Sequence, residues 1–86
     1  ASKGGLIQLT KYLASILAPK IRVNCISPGG IKNNQSNEFI KRYKNITPMK
    51  RMGERDDIKG AIHFLSSNLS SYITGQNIII DGGWSL

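Results

Sequence analysis

Lys3, in the opening stretch ASKGGL, puts an ammonium group just ahead of a regular apolar run. A cation held there could pair with an anion or lower the pKa of a neighbouring acid, and a solvated surface lysine has the same local sequence. The second candidate is Pro28-Gly29-Gly30-Ile31. Gly29 and Gly30 carry no side chains, so a ligand can approach the backbone closely, and the amides of Gly30 and Ile31 are available as donors. Pro-Gly and Gly-Gly are equally the punctuation of a plain turn. Other reactive residue types have little support. His63 has no second His, Cys or carboxylate at metal-ligand spacing and is assigned no role. Cys25 lies in an apolar run and reads as a small core residue; as the only cysteine it forms no internal disulfide, which points to a reducing, cytoplasmic setting. Ser66, Ser67, Ser70 and Ser71 lack a Gly-x-Ser-x-Gly context and belong to a helix end and turn.

The elements that would position these residues follow from periodicity. Leu6, Leu9, Leu13, Ile16 and Leu17 recur at three- and four-residue spacing, one face of a helix that Pro19 stops near Ala18. No capping residue is evident ahead of Lys3. Ile21 to Ile26 alternates and predicts a short strand ended by SPGG. Asn33 to Lys50 is polar and weakly periodic, with Glu38, Phe39, Ile40 and Tyr43 suggesting a short helix inside a long excursion. Ile58, Ala61, Ile62 and Leu65 predict a stronger helix, with Asp56 and Asp57 suiting its amino end. SYITG supplies a glycine able to take positive φ, and Asn77 to Ile80 then reads as a strand buried on both faces.

The order helix, strand, long loop, helix, strand defines an α/β class. A crossover of about fifty residues between the strands predicts a parallel, right-handed βαβ unit with an extra helix in front. Such a unit leaves sheet edges and a helix face uncovered, so the chain is expected to be part of a larger doubly wound sheet. Alone, it is expected neither to fold stably nor to turn over a substrate.

Eighty-six residues suit one small domain, and 40% apolar with 20% charged residues exclude a disordered tail or a disulfide scaffold. Apolar runs stop at three residues, far below the roughly 20 that cross a bilayer, so no membrane partner is expected. The net charge of +7 is unusual, and Lys41, Arg42, Lys44, Lys50, Arg51 and Arg55 hold half of the twelve basic residues. A small basic nucleic-acid-binding module is the rival reading from another class. The cluster has only Tyr43 as an aromatic companion and matches no helix-turn-helix, zinc-finger or RNA-recognition pattern, which favours a solvated face or a site for an anionic substrate.

Taken in order, ASKGGL, IRVNCISPGGI and PMKRMGERDDIKGAIHFLSSNLSSYITGQNIIIDGGWS resemble the carboxyl-terminal third of short-chain dehydrogenase/reductases. The resemblance covers nearly the whole chain. It implies a partial Rossmann-like parallel sheet, with residues 1–86 forming the last part of one nucleotide-binding domain and residues 32–50 its substrate-loop region. It also implies that the chain starts inside the active-site helix, since Lys3 takes the lysine place of Tyr-x-x-x-Lys.

From the same resemblance, Lys3 hydrogen-bonds the nicotinamide ribose of NAD or NADP and lowers the pKa of the tyrosine, which acts on the oxygen of a small-molecule carbonyl or alcohol. Pro28, Gly29, Gly30 and Ile31 run past the nicotinamide, with the Ile31 backbone at its carboxamide. Asn33 stands where the family often has a threonine touching the cofactor. A homodimer or homotetramer is implied, formed through the first helix and the final helix and strand. Within the family, PGGIKNNQ and DGGWS lean toward sugar substrates of surface-glycan biosynthesis, with a 3-oxoacyl-(acyl-carrier-protein) reductase as the alternative.

Overall fold

The computed structural model describes residues 2–86, which fall into two compact units. One holds the residues up to Ile26 together with Ala61–Ile78; the other holds Ser27–Gly60 and Ile79–Leu86. The elements run α1 (Lys3–Leu17), β1 (Cys25–Pro28), α2 (Asn37–Ile46), α3 (Arg55–Ser66), a 3-10 turn at Asn68–Ser70, and β2 (Asn77–Ile80). Among the described residues, no helix is long and apolar enough to cross a membrane.

In the first unit α1 runs from Lys3, with Ser2 at its N-cap position, its hydroxyl accepting the Gly5 N–H at 3.1 Å. Serine is among the best residues at this position, since its oxygen satisfies an amide with no helical partner. This corrects the expectation of an uncapped helix start. The helix ends at Leu17, ahead of Pro19, as periodicity predicts. Ala14 is its best-buried apolar residue, and Gly75 lies against it, where a Cβ would stand 3.4 Å from the Ala14 methyl. Gly75 adopts φ 74°, the left-handed conformation expected of it.

The segment 21–24 is not a strand, contrary to the alternation read there. Its polar groups are drawn to other partners. The Arg22 guanidinium donates to the carbonyls of Leu65, Ser67 and Ile73 at 2.9 to 3.2 Å, placing a cation where α3 ends. Asn24 Nδ2 donates to the Ile73 carbonyl, and the Val23 N–H donates to the Thr74 hydroxyl rather than to a neighbouring strand. Strand pairing starts only at Cys25, whose N–H donates to the Gln76 carbonyl at 2.9 Å.

In the second unit the equivalent bond runs from the Gly29 N–H to the Ile80 carbonyl at 2.8 Å. Equal four-residue steps on both strands make the two-stranded sheet parallel, as expected. Pro28 lies between these paired amides, so its missing N–H falls on the edge away from β2. The expectation that β2 is buried on both faces does not hold: Ile79 is 54% exposed, and no other residue of Asn77–Ile80 is fully buried.

The polar excursion contains a full helix. Ser36 caps α2 by accepting the Phe39 N–H at 3.2 Å, and Glu38 sits in the first turn. Its inward residue is Tyr43, and Thr47 closes the helix with both its N–H and its hydroxyl donating to the Tyr43 carbonyl. The excursion is tied at its base. Ile31 and Gly53 form a parallel bridge in which Gly53 donates to Gly30 and Lys32 donates to Gly53, both at 2.8 Å.

Candidate functional site

The Pro28 to Asn33 segment leaves the carboxyl end of β1 directly, where open parallel sheets bind ligands. Pro28 is exposed; Gly29, Gly30 and Ile31 are half-buried. The space that two missing side chains leave is filled from within the protein. A Cβ on Gly29 would stand 2.6 Å from the Asp81 Cβ and 2.9 Å from its Cα. A Cβ on Gly30 would meet the Tyr43 ring at 2.5 Å. These glycines therefore serve close packing of the protein on itself.

The two amides read as available also differ. The Gly30 N–H donates to the Tyr43 hydroxyl at 2.7 Å, so it is committed. The Ile31 N–H has no partner among the described residues, while its carbonyl accepts from the Gln35 side chain at 3.0 Å. Asn33 is exposed; its N–H donates to Gln35 Oε1 at 2.7 Å, which holds the turn and leaves the Asn33 amide side chain outward. Lys3 belongs to the first unit, exposed at the first position of α1.

A cavity of about 210 Å³ opens beside the turn, lined by Gly30, Ile31, Met49, Arg51, Asp57 and Asp81 among others. Its charged groups are already organised. Arg51 grips Asp57 with two nitrogens, at 2.8 and 3.0 Å, and Asp57 also accepts the Glu54 N–H at 2.7 Å ahead of α3. The second contact is half of a capping box, with the third helical residue reaching back to the cap. Arg51 is therefore not a free cation awaiting an anionic substrate. Of the basic cluster, Lys41, Arg42 and Lys44 remain exposed on α2.

The Arg51 guanidinium, followed by the Glu54 amide, pulls the Asp57 carboxyl down to about 2 from an ordinary 3.8. A depressed folded-state pKa means that the pair's stabilisation is complete above the ordinary value and is lost as pH falls toward 2. In an NMR titration the Asp57 carboxyl should titrate near 2, and Arg51→Met should return it toward 3.8. Both side chains are substantially exposed, so added salt should weaken the pairing.

Asp81 is shaped by turn geometry. Its oxygens accept the Gly83 and Ser85 amides at 2.9 and 3.1 Å, and bonding from Ser85, ahead of the backbone amides, holds the carboxyl below its usual range. The turn requires Gly82 and Gly83, which adopt φ 63° and 91°. It returns the chain onto the end of α2: the Met49 N–H donates to the Gly82 carbonyl, and Trp84 stacks on Tyr43 with centroids 4.7 Å apart. Sequence reasoning missed Tyr43 and Asp81 as partners of the glycine turn. Only DGG after an apolar strand, and Phe39 with Tyr43 at helical spacing, hinted at them.

No group of three metal-ligating side chains occurs among the described residues. What the fold defines is the end of a parallel α/β sheet with a glycine turn beyond a strand and a helical excursion over it. A sequence profile for the family described as enoyl-(acyl carrier protein) reductase matches residues 1–85, and the chain belongs to that family of short-chain dehydrogenase/reductases. The crystal structure of a short-chain dehydrogenase from Leptospira borgpetersenii with bound NAD+ is 56% identical at a TM-score of 0.92, over 98% of this chain and 34% of that one. The fold is accordingly Rossmann-like.

Among curated relatives, a 3-oxoacyl-(acyl-carrier-protein) reductase of Buchnera aphidicola is 47% identical over 96% of this chain and 36% of its own length. Post-translational flagellin modification protein A of Campylobacter coli is 39% identical over 98% of this chain and 33% of its own. The chain thus spans about a third of the length of the curated relatives it matches.

Proposed function

We propose that these residues belong to an NAD(P)-dependent oxidoreductase that interconverts a carbonyl and a secondary alcohol. The observation that carries this reading is the unengaged Ile31 N–H at the carboxyl end of β1, beside a Gly30 amide already committed to Tyr43. A lone donor so placed suits a carboxamide oxygen, and the residues present fit a nicotinamide. Pro28, Gly29, Gly30 and Ile31 would form its wall, and Asn33 offers an outward amide for a further contact. The bound nicotinamide supplies or accepts the hydride.

Lys3 acts in this reading by hydrogen-bonding the nicotinamide ribose and by favouring the phenolate of a tyrosine four residues before it. The phenol then gives or takes the proton at the substrate oxygen. Residues 32–50 form the substrate region, with the exposed cations of α2 facing an anionic group. The substrate is a sugar or sugar-derived carbonyl, supported by the flagellin-modification relative and by PGGIKNNQ and DGGWS. A 3-oxoacyl thioester is the second reading, supported by the 47% identical reductase.

The enzyme works as a homodimer or homotetramer, supported by exposed Leu9, Tyr12 and Ile16 on α1, Ile62 on α3 and Ile79 on β2, and in the cytoplasm, supported by its single cysteine. Catalysis requires a chain that includes the tyrosine, and the 86 residues alone should be inactive. The test is NAD(P)H oxidation by the complete enzyme against sugar carbonyls and 3-oxoacyl thioesters. Turnover of the sugar panel alone supports the first substrate reading, turnover of thioesters alone replaces it, and no nucleotide oxidation on either panel overturns the function.

A further inference from the structure

Tyr43 lies on α2, yet its polar contact is with the turn after β1. Its hydroxyl accepts the Gly30 N–H at 2.7 Å, and its ring occupies the place of a Gly30 side chain. The ring is only 8% exposed, stacked on Trp84 at an interplanar angle of 14° and flanked by Phe39 at a centroid distance of 6.2 Å. Its backbone is fixed too, since its carbonyl accepts both the Thr47 N–H and the hydroxyl of fully buried Thr47. The Gly30 peptide is therefore held from both ends, its N–H by Tyr43 and its carbonyl by Gly53, immediately before the unengaged Ile31 amide.

We propose that Tyr43 is a positioning residue: through its hydroxyl, the helix of the substrate region sets the aim of the Ile31 amide. This rests on the oxidoreductase reading only for what Ile31 meets. Two consequences follow from the geometry. Loss of the hydroxyl leaves a half-buried amide without its acceptor and frees the turn to rotate, while the ring still fills the space over Gly30. Coenzyme affinity should then fall with little change in the chemical step, and a displacement of α2 by substrate should reach the coenzyme through one hydrogen bond.

The test is Tyr43→Phe in the complete enzyme, with Phe39→Leu as a packing control. For Tyr43→Phe the expected result is a KM for NAD(P)H raised about five- to tenfold, as for one lost hydrogen bond, with kcat within about twofold. The Gly30 amide should also exchange with solvent faster in this variant, as read by NMR. Phe39→Leu, which loosens the stack and keeps the hydroxyl, should leave Gly30 exchange unchanged.

Equal effects from the two variants would show that packing alone matters and overturn the proposal, as would unchanged Gly30 exchange in Tyr43→Phe. Should Tyr43→Phe fail to fold, a single ring fluorine on the tyrosine at position 43 weakens the acceptor at nearly constant volume while the phenol stays protonated at neutral pH, and Gly30 exchange should rise. A wild-type enzyme that binds no nicotinamide nucleotide would sink the oxidoreductase reading, while Gly30 exchange would still decide the role of Tyr43.

Discussion

Lys3→Met, made in an enzyme that carries the tyrosine four residues upstream, is expected to lower kcat for alcohol oxidation by about a hundred- to ten-thousandfold at neutral pH. The effect is electrostatic. Oxidation needs the phenolate as base, and a cation nearby favours the charged form; without it the phenol pKa rises by about one to three units. The pH at which oxidation switches on should move up by the same amount, so part of the lost rate returns in alkaline buffer. Coenzyme KM should rise as well, since the proposed ribose contact would go with the ammonium. The measurement is a pH profile of kcat and of kcat/KM for both enzymes. A fall in rate with an unmoved profile would leave Lys3 as a coenzyme contact without influence on the proton, and no fall would return it to an ordinary surface cation.

Gly29→Ala is expected to have the largest effect on stability. The new methyl would stand 2.6 Å from the Asp81 Cβ and 2.9 Å from its Cα, so relief requires moving backbone that carries the DGG turn. Overpacking of ordinary core sites costs about 1 to 3 kcal/mol, and a clash against main chain belongs at or above the top of that range. Gly30→Ala also clashes, at 2.5 Å, but with the ring of a side chain. The two should therefore differ in coupling: the losses of Gly30→Ala and Tyr43→Ala should combine to less than their sum, while those of Gly29→Ala and Tyr43→Ala should add. Thermal unfolding of the single and double variants of the complete enzyme measures this directly. Equal coupling of both to Tyr43→Ala would contradict this packing.

The parts of the fold legible in the sequence were those written in local period. Five apolar residues from Leu6 to Leu17 mark α1, and Ile58 to Leu65 marks α3, because a helix face repeats within a few residues. The strand β2 was also placed at Asn77–Ile80, where a continuous apolar run leaves few alternatives. The alternation from Ile21 misled because the same pattern suits a segment whose polar side chains, Arg22 and Asn24, are spent on capping distant carbonyls. Ser2 was passed over as a cap although its residue type was right.

At the site, the glycine turn could be located because it follows a strand, but its neighbours could not. Gly30 meets Tyr43 thirteen residues on, and Gly29 meets Asp81 from the far end of the chain. Pairings at such separations leave no trace in spacing or composition. Nor could the sequence say that Arg51, one of six clustered cations, was already bound to Asp57.

The bridge between Ile31 and Gly53 has a consequence for how such enzymes diversify. Because the neck of the excursion is closed by its own two hydrogen bonds, its interior can change in length and composition while the strands keep their register. The segment is thus built as a cassette, closed at its neck and free to vary within. What this frame asks of the cassette is a ring in the place of Tyr43, for otherwise the space over Gly30 stands empty and the frame loses its lock.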